Sequence, residues 1–549
     1  MRVLVIVFVV ALIADYALAQ PELRGPRLGA ASNFGQSWQP KAVTGGEEVG
    51  IQYYRDEVIW DKVEQLDGRL RFGSMREAYP KMLSAREGGM MLLGYSGHPN
   101  WDGGKVPQTE AGQAAFAAYH GEIVARFDLI DAVEIGNEFN SHEFADFAGW
   151  PADLTDRAEI YARLLARAAA AVRAERPGIR VLGGAAHSIP VAWAEVVMAA
   201  GAGAHMDAFV LHPYTTEPEQ FARQVARLRQ VPGLEDMPLA VTEFGTLDGD
   251  AAPGYLMRYY CQMALAGVHE AVWYPFSPRG DGLAPLVEAD GTVTGVGASY
   301  ALILNNLQGQ PVEDVAPDPF TYACQFGDAA LVVWGAPRFV TLAPGLLALD
   351  PLGRPVQAPA LSRQDPLLIL GDGAVPRLGE TVNLGPQQVL YDSYDLFPQG
   401  GSPDLFVRRN GDALPLTPRP GQERDGVPWT PYLGFDQDGS IGVGAGWAVP
   451  STWGAEDPLD IVYRYTAPAA QIVVVEILAA PSAQSDDGIT LALERNGEVL
   501  TQLLIRSAEQ LVIPDIPLEA GDVFDIALGP NANSTGDHTD LRVTIRRTP

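Results

Sequence analysis

Asp131-Ala132-Val133-Glu134-Ile135-Gly136-Asn137-Glu138-Phe139-Asn140 is the stretch whose reading decides the fold. A short apolar run stops where an amide and a carboxylate, Asn137 and Glu138, stand side by side. A second stretch, Pro238 to Thr246 (Pro-Leu-Ala-Val-Thr-Glu-Phe-Gly-Thr), has the same grammar and delivers one carboxylate, Glu243, at its end. Two carboxylates, each carried on the end of a buried strand, point to acid/base or nucleophilic chemistry.

Further strands of the same kind lie on either side. Arg27 to Ser32, Val49 to Arg55 and Gly89 to Gly94 precede the first stretch. Val181 to Gly184, Asp207 to His212, Leu239 to Thr242 and Ala271 to Phe276 follow it, and Ala132 to Gly136 completes the set. Helical patterns such as Gln113 to Arg126 and Tyr255 to Ala266 separate them. Eight strands alternating with helices over ~250 residues have the proportions of a (β/α)8 barrel, in which chemistry is done at the C-terminal ends of the strands. Glu138 then follows strand four and Glu243 strand seven. A doubly wound open sheet is the competing arrangement, weakened because no glycine-rich phosphate loop follows the first strand.

After a last helix, Gly297 to Leu307, the texture changes to short β segments with Pro and Gly turns. The barrel is assigned to residues 20–307, a small accessory β-sandwich to 308–396, and a C-terminal jelly-roll-like β-sandwich to 404–549. Asn496-Gly497 fits a hairpin turn. Trp447, Trp453, Tyr463 and Tyr465 are candidates for a sugar platform or for core. Asp436 and Asp438 could ligate calcium or simply form a turn. Asn533-Ser534-Thr535 matches a glycosylation sequon or a polar loop.

The chain has 549 residues, with 38 Lys and Arg against 68 Asp and Glu, a formal charge of −30. That balance makes nucleic acid and anionic membrane surfaces poor partners. Arg2, the apolar run Val3 to Ile13 and Ala17-Leu18-Ala19 read as a secretory signal over residues 1–19, cleaved after Ala19, with an uncleaved anchor as the alternative. Later apolar runs are too short to span a bilayer, so no membrane insertion is expected and the mature protein should be secreted or periplasmic. Cys261 falls in a helical run and Cys324 in a strand, and a chain of this size needs no disulfide scaffold. Two buried free thiols are expected, with pairing as the alternative.

Glycosidic cleavage needs one carboxyl to protonate the leaving oxygen and a second to attack the anomeric carbon or activate water. Rival chemistries lack their residues. There is no His-x-His, His-Glu-x-x-His or Cys cluster for zinc, and Gly94-Tyr95-Ser96-Gly97-His98 does not complete a Gly-x-Ser-x-Gly elbow. No cofactor or metal is expected.

Asn137-Glu138 after strand four and Glu243 after strand seven resemble the clan A glycoside hydrolases, most closely family 39 and its bacterial exopolysaccharide-hydrolase relatives. Tyr54-Arg55-Asp56-Glu57-Val58-Ile59-Trp60, followed by Val63-Glu64 and Asp67-Gly68, resembles the same group. The likeness covers about residues 25 to 307 and departs from the family's frequent Asn-Glu-Pro at Phe139. It implies a retaining mechanism with Glu138 as acid/base and Glu243 as nucleophile. Asn137 would bind the sugar 2-hydroxyl, and Arg55 would keep Glu243 ionised. Glu138, less compensated, would have a raised pKa. His212 and Tyr214 would position the nucleophile and Trp273 would floor the sugar subsite, while His98 and Trp101 could line it; the alternatives are a structural ion pair for Arg55, a core place for His212 and Trp273, and a loop role for His98 and Trp101. The expected activity is a secreted, endo-acting hydrolysis of a polysaccharide or oligosaccharide. The alternative is a non-catalytic polysaccharide-binding or matrix protein on the same barrel, which would need neither carboxylate.

Overall fold

A computed structural model describes residues 22–147, 149, 153–423, 428–454 and 457–548. The expected signal segment lies outside them. Eight parallel strands close into a barrel: β1 (Arg27–Ala31), β2 (Tyr53–Asp56), β3 (Gly89–Gly94), β4 (Ile130–Ile135), β5 (Arg180–His187), β6 (Ala208–His212), β7 (Leu239–Phe244) and β8 (Val268–Trp273). Closure is made by β1 on β8, where Leu28 pairs with Ala271 and Ala30 with Trp273. An open doubly wound sheet is thereby excluded.

Strand side chains alternate, and one set fills the barrel axis: Tyr53, Met91, Ala132, Leu182, Val210, Ala240 and Val272 are all buried together. The other set faces the helices, and burying each such Leu, Ile or Val side chain contributes about 1.5–3 kcal/mol. Helix starts follow local chemistry. Thr109 caps the helix Glu110–Arg126 through the Gly112 N–H, and Asp153 caps Leu154–Glu175 through the Thr155 N–H.

The second strand differs at its start from the sequence reading. Val49 ends the helix Pro40–Val49, and Gly50 (φ 91°) closes it in a left-handed conformation before β2 begins at Tyr53. Val49 to Gln52 is apolar enough to read as strand, but the glycine cap decides otherwise.

Beyond the helix Gly295–Asn306, a five-stranded sheet runs in the order Leu346–Leu349, Leu367–Gly371, Ala330–Gly335, Thr321–Phe326, Val312–Asp314. A two-stranded sheet, Val340–Leu342 with Val382–Leu384, packs beside it. The five-stranded sheet is buried on both faces. Ala323, Leu331, Val333 and Ile369 fill the sandwich, while Cys324, Val332 and Trp334 join the barrel's outer core. Cys324 therefore meets Cys261 of the helix Ala252–Leu265, and the two form a disulfide with Cα atoms 6.0 Å apart. This corrects the expectation of free thiols: the residue types imposed no pairing, but the docking of the sandwich on that helix did.

Val389–Asp392, assigned from sequence to the accessory sandwich, pairs with Thr539–Arg547 and so belongs to the C-terminal unit. That unit is two antiparallel sheets, one centred on Gln471–Pro481 and Thr539–Arg547, the other on Pro458–Thr466 and Val523–Pro530. Their inner faces enclose Val473, Val475, Ile461, Tyr463, Ile526, Leu491 and Val543. Tyr463 and Tyr465 are thus core residues, and Trp453 stands apart at the surface with its Nε1 on Asp438. The four aromatics form no common platform. Asp436 accepts from Thr417 and Arg419, whereas Asp438 accepts from Ser440, Ser451 and Trp453, so the two carboxylates serve separate turns. Asn496 (φ 53°) and Gly497 (φ 81°) form the expected hairpin turn. Among the described residues no helix is long and apolar enough to cross a membrane.

Candidate active site

The C-terminal ends of β2, β4, β5, β6 and β7 converge on one cleft of about 570 Å³. Arg55 on β2 is buried inside the barrel and holds three partners. Its Nε and Nη2 grip Glu134 of β4 in a fork, at 2.6 and 2.8 Å; Nη1 reaches Glu243 at 2.5 Å, and Nη2 reaches Asn137 Oδ1 at 3.2 Å. Burial alone would discharge the guanidinium, but the Glu134 and Glu243 charges outweigh it and raise its pKa. Burial likewise works against an ionised Glu134, and the Arg55 charge with hydrogen bonds from His212 and Arg55 overcomes it, taking that carboxyl to about 2. Glu243 is also bound by Tyr214, whose hydroxyl donates to Oε2 at 3.1 Å. One oxygen is thus fixed by the arginine and the other by the phenol.

Glu138 sits just beyond β4, on backbone bent sharply out of the strand. Gly136 has φ 86° and Glu138 itself φ 49°. A non-glycine residue in the left-handed region carries strain of order 1–2 kcal/mol, which the surroundings must hold in place. Phe139 supplies much of that hold. Its ring is buried against Tyr161 (5.0 Å) and Phe147 (5.2 Å), and its N–H donates to the Ala185 carbonyl at 2.9 Å. Proline could not make that bond, and it would press residue 138 toward extended backbone.

The charge state expected of Glu138 is reversed. Burial does push its carboxyl up, but two imidazoles meet the same oxygen, His187 Nδ1 at 3.1 Å and His212 Nδ1 at 2.8 Å. Their hydrogen bonds and charge bring it down to about 2. His212, fully buried, is pushed toward neutrality by burial. The nearby Glu243 charge and the hydrogen bonds to Glu134 and Glu138 prevail and lift it from 6.5 to about 9. Its Nε2 faces Thr242 Oγ1 at 2.8 Å. In the free protein the proton of this pair therefore rests on His212, one hydrogen bond away from Glu138.

One ligand atom each of Glu138, His212 and Glu243 lie within 4.8 Å of one another, the one cluster of three such groups this close among the described residues. Their hydrogen bonds are already committed within the site, His212 to Glu138 and Thr242, and Glu243 to Arg55 and Tyr214. The set can hold a proton on His212, one hydrogen bond from Glu138.

The structure thus brings together Glu138, Glu243, Arg55, Asn137, His212 and Tyr214. Three other expectations fall elsewhere. His98 is buried away from the cleft, with Nε2 on the Glu64 carbonyl (3.1 Å), Nδ1 accepting from the Asn100 N–H (3.2 Å) and its ring against Trp60. Trp101 is half-buried against the barrel core and is not a wall of the cleft. Trp273 is fully buried, donating to the Ala284 carbonyl and packed edge-on to Phe244. Its neighbour Tyr274 lines the cleft in its place, one residue further along the chain. Two residues that bind Arg55 and Glu138 directly were also missed. Glu134 was visible as a charge inside an apolar strand, but His187 lies beyond the glycines at which β5 was taken to end.

No protein-family model matches the chain, and no curated protein matches it in sequence. Among solved structures it is similar to a family 39 glycoside hydrolase from the gut symbiont Bacteroides cellulosilyticus, 15% identical with a TM-score of 0.52 over 63% of this chain and 81% of that one. A family 30 endoxylanase from Clostridium papyrosolvens is 14% identical, with a TM-score of 0.49 over 64% and 97%. A family 39 β-xylosidase from Caulobacter crescentus is 16% identical, with a TM-score of 0.48 over 64% and 96%. The first of these shares the barrel fold, and its family is the one the Asn137-Glu138 and Glu243 motifs resemble.

Proposed function

We propose that this chain is a secreted, retaining glycoside hydrolase that cleaves internal linkages of a polysaccharide. The observation that carries the reading is the approach of the two carboxylates, an oxygen of Glu138 lying within 4.8 Å of one of Glu243. So close an approach favours the ~5–5.5 Å spacing of a retaining pair over the ~6.5–9.5 Å of an inverting one.

Glu243, aimed by Arg55 and Tyr214, attacks the anomeric carbon while Glu138 gives a proton to the departing glycosidic oxygen. The proton on His212 supplies Glu138 across their 2.8 Å hydrogen bond. In the second step Glu138 accepts a proton from water, which attacks the glycosyl-enzyme and frees Glu243. Asn137 has its Oδ1 on Arg55 and keeps its amide N–H groups for the sugar 2-hydroxyl. Tyr95, Phe144 and Tyr274 offer faces to sugar rings, and Arg279 and Asp281 offer polar contacts at the cleft edge, an arrangement that suits a chain lying across the pair. Secretion is supported by the Ala17-Leu18-Ala19 pattern.

Screening defined polysaccharides for new reducing ends identifies the substrate, and a broad distribution of product sizes is expected for internal cleavage. Glu243→Gln should lower hydrolysis by about three orders of magnitude or more while polysaccharide binding persists. NMR of the first product should show the anomer of the substrate. An inverted product, or a Glu243→Gln enzyme of comparable rate, would overturn the assignment.

A further inference from the structure

We infer that the C-terminal sandwich is a working part of the active site: through Gln422 it sets the position of His187, and through His187 that of the Glu138 carboxylate. The inference rests on the glycosidase reading for its catalytic consequence, but its geometry stands on its own.

Between the strands Thr417–Arg419 and Tyr432–Phe435 runs a loop whose Pro420 and Gly421 reach the barrel rim beyond β5. There the Val191 N–H donates to the Pro420 carbonyl at 3.1 Å, and the Ala192 N–H to Gly421 at 3.4 Å. The neck of this loop is closed by the Gln422 N–H on the Pro428 carbonyl (2.6 Å). Gly421 lies so near Thr430 that an added Cβ would come within 2.5 Å of its carbonyl carbon. Gln422, 2% exposed, exchanges two hydrogen bonds with Asn140: its Nε2 donates to the Asn140 carbonyl at 2.6 Å and its Oε1 accepts from Asn140 Nδ2 at 2.9 Å.

Asn140 in turn pins both main-chain groups of His187, accepting from its N–H at 2.8 Å and donating to its carbonyl at 3.0 Å. The same loop places Trp429 edge-on to the His187 imidazole, with ring centres 5.0 Å apart at 89°, while Phe144 covers it at 5.1 Å. His187 Nδ1 is then 3.1 Å from Glu138 Oε1. An unbroken series of buried contacts thus joins the C-terminal unit to the proton-donating carboxyl. Gln422 and Trp429 are positioning residues and touch no reacting atom.

The test uses the full chain and a pair of aryl glycosides of one sugar, one with an acidic phenol and one with a weakly acidic phenol as leaving group. Only the second needs protonation. Gln422→Ala and Trp429→Ala should lower kcat/KM for the weakly acidic phenol by roughly tenfold or more, leave the activated glycoside nearly unchanged, and shift the pH profile. Trp429→Phe should restore most of the loss. Equal losses on both glycosides, or none, would overturn the proposal. A second measurement is independent of turnover: in histidine-labelled protein at fixed pH, Gln422→Ala should move the NMR chemical shifts of the His187 ring, and unmoved shifts would also overturn it. Should Gln422→Ala not fold, Gln422→Glu and Trp429→Ala carry the same comparison. A wild-type protein that cleaves no glycoside would count against the proposed activity, while the NMR result would still decide the positioning.

Discussion

Phe139 occupies the place where the motif it resembles often has proline, and the structure gives the difference a physical role. Its N–H holds the Ala185 carbonyl, and its ring supports the left-handed turn that aims Glu138. Phe139→Ala should destabilise the fold by ~3–5 kcal/mol through the cavity it opens. Phe139→Pro should lose the buried hydrogen bond and displace Glu138, lowering the melting temperature and the turnover together. Unchanged turnover in the proline variant would show that Glu138 does not need this backbone.

The charges of the same site set a pH window. His212 has a folded pKa of about 9 against 6.5 ordinarily, so its protonation stabilises the fold fully below pH 6.5 and that contribution is lost as the pH rises through 9. Glu134 and Glu138, lowered from 4.5 to about 2, contribute above pH 4.5 and lose their contribution as the pH falls toward 2. The melting temperature should therefore decline between neutral pH and pH 9, and His212→Asn should flatten that decline. An equally steep alkaline decline in the variant would place its origin elsewhere. The sequence showed Glu138 and Glu243 but assigned Glu138 the wrong charge state, because the imidazoles that hold it come from β5 and β6 and no local pattern announces their approach.

At the scale of single elements, the turn after β4 depends on Gly136. A Cβ there would lie 2.7 Å from the Phe139 ring and 3.0 Å from Tyr161, on backbone with φ 86°. Gly136→Ala should cost about 1–2 kcal/mol of backbone strain in addition to the clash, and it should reduce activity at least tenfold by moving Asn137 and Glu138. Activity assay beside thermal denaturation separates the two effects. Most strands were legible because apolar runs ending in Gly, Asn or Pro mark them. The start of β2 was not, since Val49 looks the same ending a helix as beginning a strand, and only Gly50 distinguishes the two. Trp273 and Tyr274 illustrate the same limit: the strand is evident from its residues, but which of two adjacent aromatics faces the cleft depends on where the strand ends.

Across the whole molecule, the barrel and the accessory sandwich are joined covalently by Cys261 and Cys324, which are 63 residues apart. A loop of that length is worth about 4 kcal/mol in the chain-entropy account. Cys324→Ser should lower denaturant stability by ~2–5 kcal/mol with little change in turnover at 25 °C; a large loss of activity without loss of stability would contradict a purely structural bond. The three units also meet around Glu219 of the barrel, which binds Arg258, Trp334 of the accessory sandwich and Tyr394, just after the strand Val389–Asp392 that pairs with the C-terminal unit. Such contacts make the C-terminal sandwich a fixed neighbour of the barrel and place Gln422 and Trp429 where they touch the site.

By itself the sequence determined the alternation of strands and helices, the two carboxylates at strand ends and the β-rich units that follow, because periodicity and turn chemistry are local properties of the chain. Only the tertiary structure decided that Cys261 meets Cys324, that His187 and His212 hold Glu138 ionised, that Trp273 is core, and that Gln422 lies beside Asn140 from 282 residues away. Each of these depends on which surfaces pack together and on the electrostatics of groups brought close by that packing, and neither is encoded in neighbouring residues.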